Sequence, residues 1–256
     1  MHRIFTARVS DNQPLNKNNH LLTIEPLEKT LEPAPGQFYM LETGDSLDPL
    51  LKRPFSYFRK TPETLQFLFT VRGKGTAKMK ALTRGTEMQV IGPLGTGYPA
   101  PKKGFTPLLI AGGAGIASLF PLAERLTQKI CLLYGARCKS ELLMLKELEA
   151  LGSQLLTCTD DCSFGKEGKV TDNLIALLSS PSSRDASYTI YACGPKPMLS
   201  SVSKIAMGNR IKGFVSLEES MACGFGACLG CSVKTVRGYK RVCKEGPVFP
   251  IEEIVW

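Results

Sequence analysis

Three thiols, Cys223, Cys228 and Cys231, stand within the stretch CGFGACLGC, and a fourth, Cys243, follows at a distance. Cysteine thiolates hold zinc or iron, and the spacing separates the two. Zinc usually takes two short C-x2-C pairs. Here there is one close pair with a singleton on either side, written Cys223-x4-Cys228-x2-Cys231-x11-Cys243. C-x4-C-x2-C with a distant fourth thiol is a spacing that binds a [2Fe–2S] cluster. The interleaved Gly224, Gly226 and Gly230 suit a loop that must curl around such a cluster and aim amides at its sulfurs. A zinc site, or cysteines grouped without a ligand, are the competing readings. Cysteines 131, 138, 158, 162 and 193 show no ligand spacing. Cys131 and Cys158 fall in apolar runs, where a thiol packs as a small hydrophobe.

A one-electron centre needs a supply, and four further stretches offer one. RPFS, Arg53 to Ser56, lies at the exit of an expected strand, and VRGKGT follows at 71–76. An arginine offers forked donors to a diphosphate, and a Gly-Lys-Gly-Thr turn adds amides and a hydroxyl. The same turn also reads as an ordinary hairpin. IAGGAGIASL, 110–119, is a strand, a glycine turn and a helix start, the context for a dinucleotide diphosphate on a helix N-terminus. It lacks the G-x-G-x-x-G spacing, so a tight turn without a ligand stays open. YACGP, 191–195, ends an expected parallel strand, where open α/β sheets bind ligands. Arg137, after the second parallel strand, reads either as a partner for a 2′-phosphate or as a surface arginine.

These stretches need elements to hold them. Up to about residue 100 the chain is a series of short runs rich in β-branched and aromatic residues, such as HLLTIEPL and TLQFLFTVRG, each bounded by turn residues. Strands this close together, with no helix between, indicate a small antiparallel barrel. From 101 to 212 strand patterns such as KICLLYGAR and YTIYACGP alternate with helical ones, among them IASLFPLAERLTQ and KSELLMLKELEALG. That alternation indicates βαβ units and a parallel sheet. In TDNLIALLSS, Thr171 or Asp172 is the expected helix cap. From 213 to 256 the chain is a short strand, the cysteine loop and a hairpin through VRGY, too small for its own core and in need of a staple. The fold class is α+β with three domains.

The composition narrows the function. The net charge of +9 is spread over scattered lysines and arginines, without basic blocks or interleaved aromatics, which argues against nucleic acid. A basic surface suits phosphorylated cofactors or an acidic protein partner. No apolar run approaches a membrane span, and the first residues carry no apolar leader segment. A cytoplasmic protein with reduced thiols is therefore expected. His2 and His20 lie near no nucleophile motif, so a hydrolytic triad is not expected, and each reads as a surface or strand residue.

R-P-x-S, G-P-L-G, G-G-x-G and C-G-P come in an order that resembles the ferredoxin–NADP reductase superfamily. TDDCSFGKEGKVTDNL, YACGPKPML, VSLEESMACGFGACLGC and YKRVCKEGPVF narrow it. Over nearly its whole length the chain resembles the electron-transfer subunit of class 1B dihydroorotate dehydrogenase. The resemblance implies an FAD-binding barrel at 1–100, an NAD-binding domain at 101–212 and a [2Fe–2S] domain at 213–256. It implies that Arg53, Pro54, Phe55, Ser56, Leu68, Phe69, Thr70, Gly75 and Thr76 contact FAD. Gly112, Gly113, Gly115, Cys193, Gly194 and Pro195 would line the nicotinamide site, and Cys223, Cys228, Cys231 and Cys243 would ligate the cluster. It implies NAD(H) as co-substrate and a heterotetramer with an FMN-containing dihydroorotate dehydrogenase chain, two copies of each, in pyrimidine biosynthesis. No residue of this chain is expected to contact the pyrimidine. Two positions depart from the family's pattern: Cys162 stands where glycine is common, and Ser220 where arginine usually precedes MACG. A related reading is the small subunit of an NADH-dependent ferredoxin–NADP oxidoreductase or sulfide dehydrogenase. A zinc-binding adaptor without activity is the reading from another class.

Overall fold

The computed structural model describes residues 3–44, 48–181 and 186–256. Six antiparallel strands close into a barrel in the order β1-β2-β5-β4-β3-β6. They are β1 (Arg3–Pro14), β2 (Asn19–Pro26), β3 (Phe38–Leu41), β4 (Arg53–Lys60), β5 (Leu65–Thr70) and β6 (Glu87–Leu94). Alternation decides which side chains enter. On β1, Phe5, Ala7 and Val9 are buried, and they meet Leu22, Ile24, Phe67 and Val90 inside. β2 is buried on both faces, because Leu21 packs outward against the neighbouring domain. A short helix, α1 (Lys74–Lys80), follows β5. Asn12 Nδ2 donates to the carbonyls of Met79, Lys80 and Leu82, supplying the donors that a helix C-terminus lacks.

The second unit is a seven-stranded sheet in the order β10-β9-β8-β7-β11-β12-β15. Its strands are β7 (Thr106–Gly112), β8 (Cys131–Ala136), β9 (Gln154–Thr159), β10 (Lys166–Glu167), β11 (Tyr188–Cys193), β12 (Gly213–Ser216) and β15 (Val248–Pro250). All pairings are parallel except that of β12 with β15. The central strands are apolar along their length because helices cover both faces. Helix α2 (Ile116–Arg125) packs on the barrel, with Phe120 stacked on Phe58 at 4.2 Å between ring centres. Helices α4 (Val170–Ser179) and α5 (Lys196–Gly208) pack together on the opposite side with Val202, Ala206 and Leu174. The third unit is the cysteine loop and a hairpin of β13 (Ser232–Thr235) and β14 (Gly238–Arg241).

Several local expectations differ from the structure. RPFS does not end a strand but begins β4, and the Gly-Lys-Gly stretch is no hairpin: Gly73 caps the start of α1. The helix expected from KSELLMLKELEALG is confined to α3 (Leu145–Ala150), because Met144 takes a left-handed φ of 59°. Asp172 sits in the first turn of α4, not at its cap, and accepts the Lys169 N–H at 2.8 Å. β12 and β15 belong to the seven-stranded sheet, so the chain from 217 to 247 emerges from that sheet and returns to it. The small unit also shares its core. Cys231, Val242 and Cys243 pack in one buried cluster with Phe38, Met40 and Leu94 of the barrel and Val215 and Phe249 of the sheet.

Candidate electron-transfer site

The four thiols come together in two pairs. The Cys228 N–H points at Cys223 Sγ, at 3.5 Å, and the Cys243 N–H at Cys231 Sγ, at 3.4 Å. The pairs face each other: Cys243 feels both the Cys231 and the Cys223 sulfur, and with burial as the main cause its thiol is pushed up to about 12. Burial also acts to raise Cys223, but N–H groups of Cys228, Phe225 and Ala227 outweigh it and bring that thiol down to about 6. Among the described residues no three His, Cys, Asp or Glu side chains converge on one ion position. Four thiols held as two pairs fit a two-iron cluster, which takes four thiolates, and the C-x4-C-x2-C spacing favours it over zinc. Loop amides aimed at sulfur are the donors such a cluster uses.

Glycine is required where this loop meets the barrel. Gly224 has φ 79°, and a Cβ there would stand 2.5 Å from Met40 Cγ. Met40 on β3 pairs directly with Pro54 on β4. The cysteine loop therefore lies against β3, the strand next to the one that carries RPFS. Arg241 locks the loop from the other side: it donates to the Gly226 carbonyl at 2.8 Å and pairs with Glu245. Phe225 and Leu229, in the same loop, are exposed. Ser220 is exposed as well.

Arg53, Pro54, Phe55 and Ser56 are all partly buried, without the in–out alternation of the other barrel strands. The Arg53 guanidinium lies over Gly75, where a Cβ would stand 2.9 Å from Nε. One of its N–H groups goes to the Leu51 carbonyl at 2.6 Å, and among the described residues no carboxylate pairs with it. A fork with free donors beside the first-turn amides of α1 fits a diphosphate. Thr76 contributes differently from expectation. Its hydroxyl donates to Gly73 O and accepts from the Arg72 and Gly73 amides, so it closes the turn. Leu68, Phe69 and Thr70 also divide. Leu68 packs toward α2, Phe69 is buried inside the barrel, and the Thr70 hydroxyl donates to Asn19 Oδ1 at 2.7 Å. What β5 leaves for a flavin is its backbone.

The glycine turn after β7 and the Cys193-Gly194-Pro195 turn after β11 meet, as adjacent parallel strands require. A Cβ on Gly115 would run into the Cys193 carbonyl and stand 2.8 Å from Gly194 N. Gly112 fits against Pro195 and Met198. Gly113, at φ 51°, makes the turn, and Tyr134 donates to its carbonyl at 3.1 Å. Such a backbone-lined notch fits a dinucleotide that must approach closely. Arg137 does not stand free: its guanidinium grips Glu141 through Nε at 3.0 Å and through Nη2.

A buried polar cluster at this point escaped the sequence reading. The Tyr98 hydroxyl lies 3.1 Å from Ser118 Oγ, which bonds Ser216 Oγ at 3.5 Å, and Cys193 Sγ joins both serines. Burial drives the Cys193 and Tyr98 protons far above their ordinary values, so both groups stay protonated. Glu218 completes the set. It is open to solvent along one edge yet walled in by protein elsewhere. The enclosure prevails and raises its carboxyl, while Arg72 draws it back. One signal was available: Ser216 ends β12 in register with Cys193, so the strand-end rule that singled out Cys193 applies to it equally.

His2 lies outside the described residues, and His20 is buried in β2. It is 4% exposed, stacks on Phe69 at 5.4 Å, and neither ring nitrogen has a partner among the described residues. Burial, then the Lys80 charge, lowers its pKa below 6.5. The unfolded chain therefore takes up this proton more readily than the folded one, and stability is lost as pH falls below 6.5. The melting temperature is expected to be flat above neutrality and to fall toward about pH 5. His20→Leu should flatten the acid limb; identical limbs in both proteins would exclude His20 as its source.

Residues 218–255 match the family model described as the iron–sulfur cluster binding domain of dihydroorotate dehydrogenase B, and 109–204 match the oxidoreductase NAD-binding domain. The chain is 36% identical to the dihydroorotate dehydrogenase B (NAD(+)) electron transfer subunit of Caldanaerobacter subterraneus subsp. tengcongensis, with 98% of each chain aligned. An electron transfer subunit homolog from Aquifex aeolicus is also 36% identical, over 97% of each. Among solved structures, that of an NADH-dependent reduced ferredoxin-NADP oxidoreductase aligns with a TM-score of 0.84 and 27% identity, covering 98% of this chain and 90% of the other. The ferredoxin reductase of carbazole 1,9a-dioxygenase shares the fold, with a TM-score of 0.70 and 19% identity, over 82% of this chain and 67% of that one.

Proposed function

This chain belongs to the family of dihydroorotate dehydrogenase B electron-transfer subunits, and from that premise we propose that it connects NAD⁺ with an FMN-containing chain that oxidises dihydroorotate. It is an NAD-linked oxidoreductase subunit whose cofactors are FAD and a [2Fe–2S] cluster. When bound, the flavin exchanges electrons singly or in pairs, which matches the one-electron cluster to the hydride of the nicotinamide. The residues of this chain hold and orient those groups. Cys223 with Cys228, and Cys231 with Cys243, hold the irons. Arg53 and the start of α1 hold the flavin diphosphate. The joined turns at Gly112–Gly115 and Cys193–Pro195 admit the nicotinamide nucleotide, and the Tyr98–Ser118–Ser216–Cys193 cluster walls that site with fixed hydroxyl and thiol groups.

One observation carries this reading: the cysteine loop packs through Gly224 on Met40, directly across from Pro54. The metal loop is thereby seated one strand away from the flavin strand. An assembly of two copies of each chain, in a cytoplasm that keeps all nine cysteines free, completes the proposal. Among the described residues no helix is long and apolar enough to cross a membrane. The likeness over 98% of this chain to the ferredoxin–NADP oxidoreductase supports a second reading, in which the partner is a larger flavin-bearing chain.

The test is co-expression with an FMN-containing dihydroorotate dehydrogenase chain. Dihydroorotate-dependent NAD⁺ reduction is expected with both chains and with neither alone; its absence from the purified pair would overturn the assignment. A separate expectation concerns the nucleotide turns. Gly115→Ala should lower stability by about 1–3 kcal/mol, the cost of forcing a methyl into a packed contact. It should also raise the KM for NADH while iron content stays constant. Unchanged melting and KM would mean that the two turns are not in contact in solution.

A further inference from the structure

The carboxyl ends of the parallel strands carry the dinucleotide turns. The opposite ends carry a second cavity, which the proposed function does not use. Its volume is ≈ 550 Å³, within the range of small-molecule sites. Its walls come from the segment that leaves the barrel (Pro99, Phe105), the first residues of β11 (Tyr188), the turn between α5 and β12, and Phe214 on β12.

The lining divides by chemistry. The floor is aromatic and fixed: Phe214 stacks on Tyr191 at 5.8 Å with 24° between planes, Tyr191 packs edge-on against Tyr98 at 5.7 Å, and its hydroxyl donates to the Pro99 carbonyl. The rim carries Lys102, Arg210 and Lys212, and among the described residues no carboxylate lines the cavity. Among the described residues none of these three cations is ion-paired. Arg210 is also placed at a cost. It is the left-handed residue, φ 54°, that ends α5, where Ile211 N–H bonds Ala206 O and Arg210 N–H bonds Met207 O. Glycine fits that position with least strain, yet the side chain there is a guanidinium at the mouth of the cavity. An aromatic floor with a rim of unpaired cations selects a flat ring joined to an anion.

We propose that this cavity binds a nucleoside monophosphate, with the base against Phe105, Tyr188 and Phe214 and the phosphate among Lys102, Arg210 and Lys212. The site is separate from the dinucleotide turns, because it opens at the other end of the same strands.

The experiment is calorimetric titration of the flavin- and iron-loaded protein with uridine 5′-monophosphate, with NAD⁺ at saturation to block the dinucleotide site. One nucleotide per chain is expected, with uridine and inorganic phosphate each binding more weakly. Arg210→Gly removes the cation and relieves the left-handed strain, so it should melt no lower than wild type. Arg210→Gly and Lys212→Gln should each weaken the nucleotide by about tenfold, the scale of a lost charge-assisted hydrogen bond. Absence of binding up to about 5 mM nucleotide overturns the proposal. So does wild-type affinity in both variants, tighter binding when NAD⁺ is left out, or inorganic phosphate binding as well as the nucleotide. Flavin content, iron content and NADH oxidation in the same samples report on the proposed function independently.

Discussion

Cys231→Ser is expected to strip the iron from the chain and to cut dihydroorotate-dependent NAD⁺ reduction by at least about 100-fold, since loss of a residue that only supports a metal ligand already costs 10–100-fold. Cys231 is 2% exposed and receives the Cys243 N–H, so a serine there breaks the inner pair at its core. A hydroxyl holds its proton at neutral pH and makes a poor partner for iron. The effect should extend beyond the ligand. The small unit has no core of its own, and its buried residues are few beside those of the sheet and the barrel. Metal binding in such a unit is folding energy, so the loop from 217 to 247 should become more open to proteolysis. NADH oxidation with an artificial acceptor should survive, because the dinucleotide turns sit at the ends of β7 and β11 and carry none of the four ligand thiols. Cys131→Ser, in a buried strand without ligand spacing, is the control and should keep its iron. If Cys231→Ser retained full iron and full partner-dependent activity, the two-pair assignment would fail.

The same residues explain what could be read ahead of the structure. The four thiols were legible because their chemistry depends on spacing along a single loop. The parallel sheet was legible because buried strands are continuous apolar runs and the helices between them repeat at another period. RPFS was misplaced because proline and arginine look like a strand end, whereas this strand begins on the barrel's rim, where the proline's missing N–H is tolerated. α1 was missed because GKG is poor helix material; Asn12, distant in sequence, supplies three hydrogen bonds at the end of that helix. Tyr98, Ser118 and the Ser216–Glu218 stretch come from three separate segments, and no local pattern joins them. Cys162 shows the converse. Its backbone takes a left-handed φ of 59°, a conformation that glycine adopts with least strain and that a side chain adopts at a cost.

Arg53→Ala should produce the other large loss, of the flavin itself. The Arg53 side chain crosses from the start of β4 to the start of α1, where Gly75 leaves room for the guanidinium and Leu51 accepts one N–H. Hydrogen bonds to a charged group contribute about 1.5–3 kcal/mol each. Losing a forked pair from a diphosphate therefore predicts flavin binding weaker by roughly 100-fold or more, at about tenfold per 1.4 kcal/mol. The variant should purify with less yellow colour at unchanged iron content, and added FAD should restore NADH oxidation in a concentration-dependent way. Arg53→Lys separates charge from geometry: a lysine keeps the charge but not the fork, and it should recover only part of the affinity. Gly75→Val reaches the same place from the other side, because its side chain would occupy the space of the guanidinium. If Arg53→Ala kept its full flavin content through dialysis, the diphosphate would have to lie elsewhere on the barrel, and the rim of β4 would lose its assigned role.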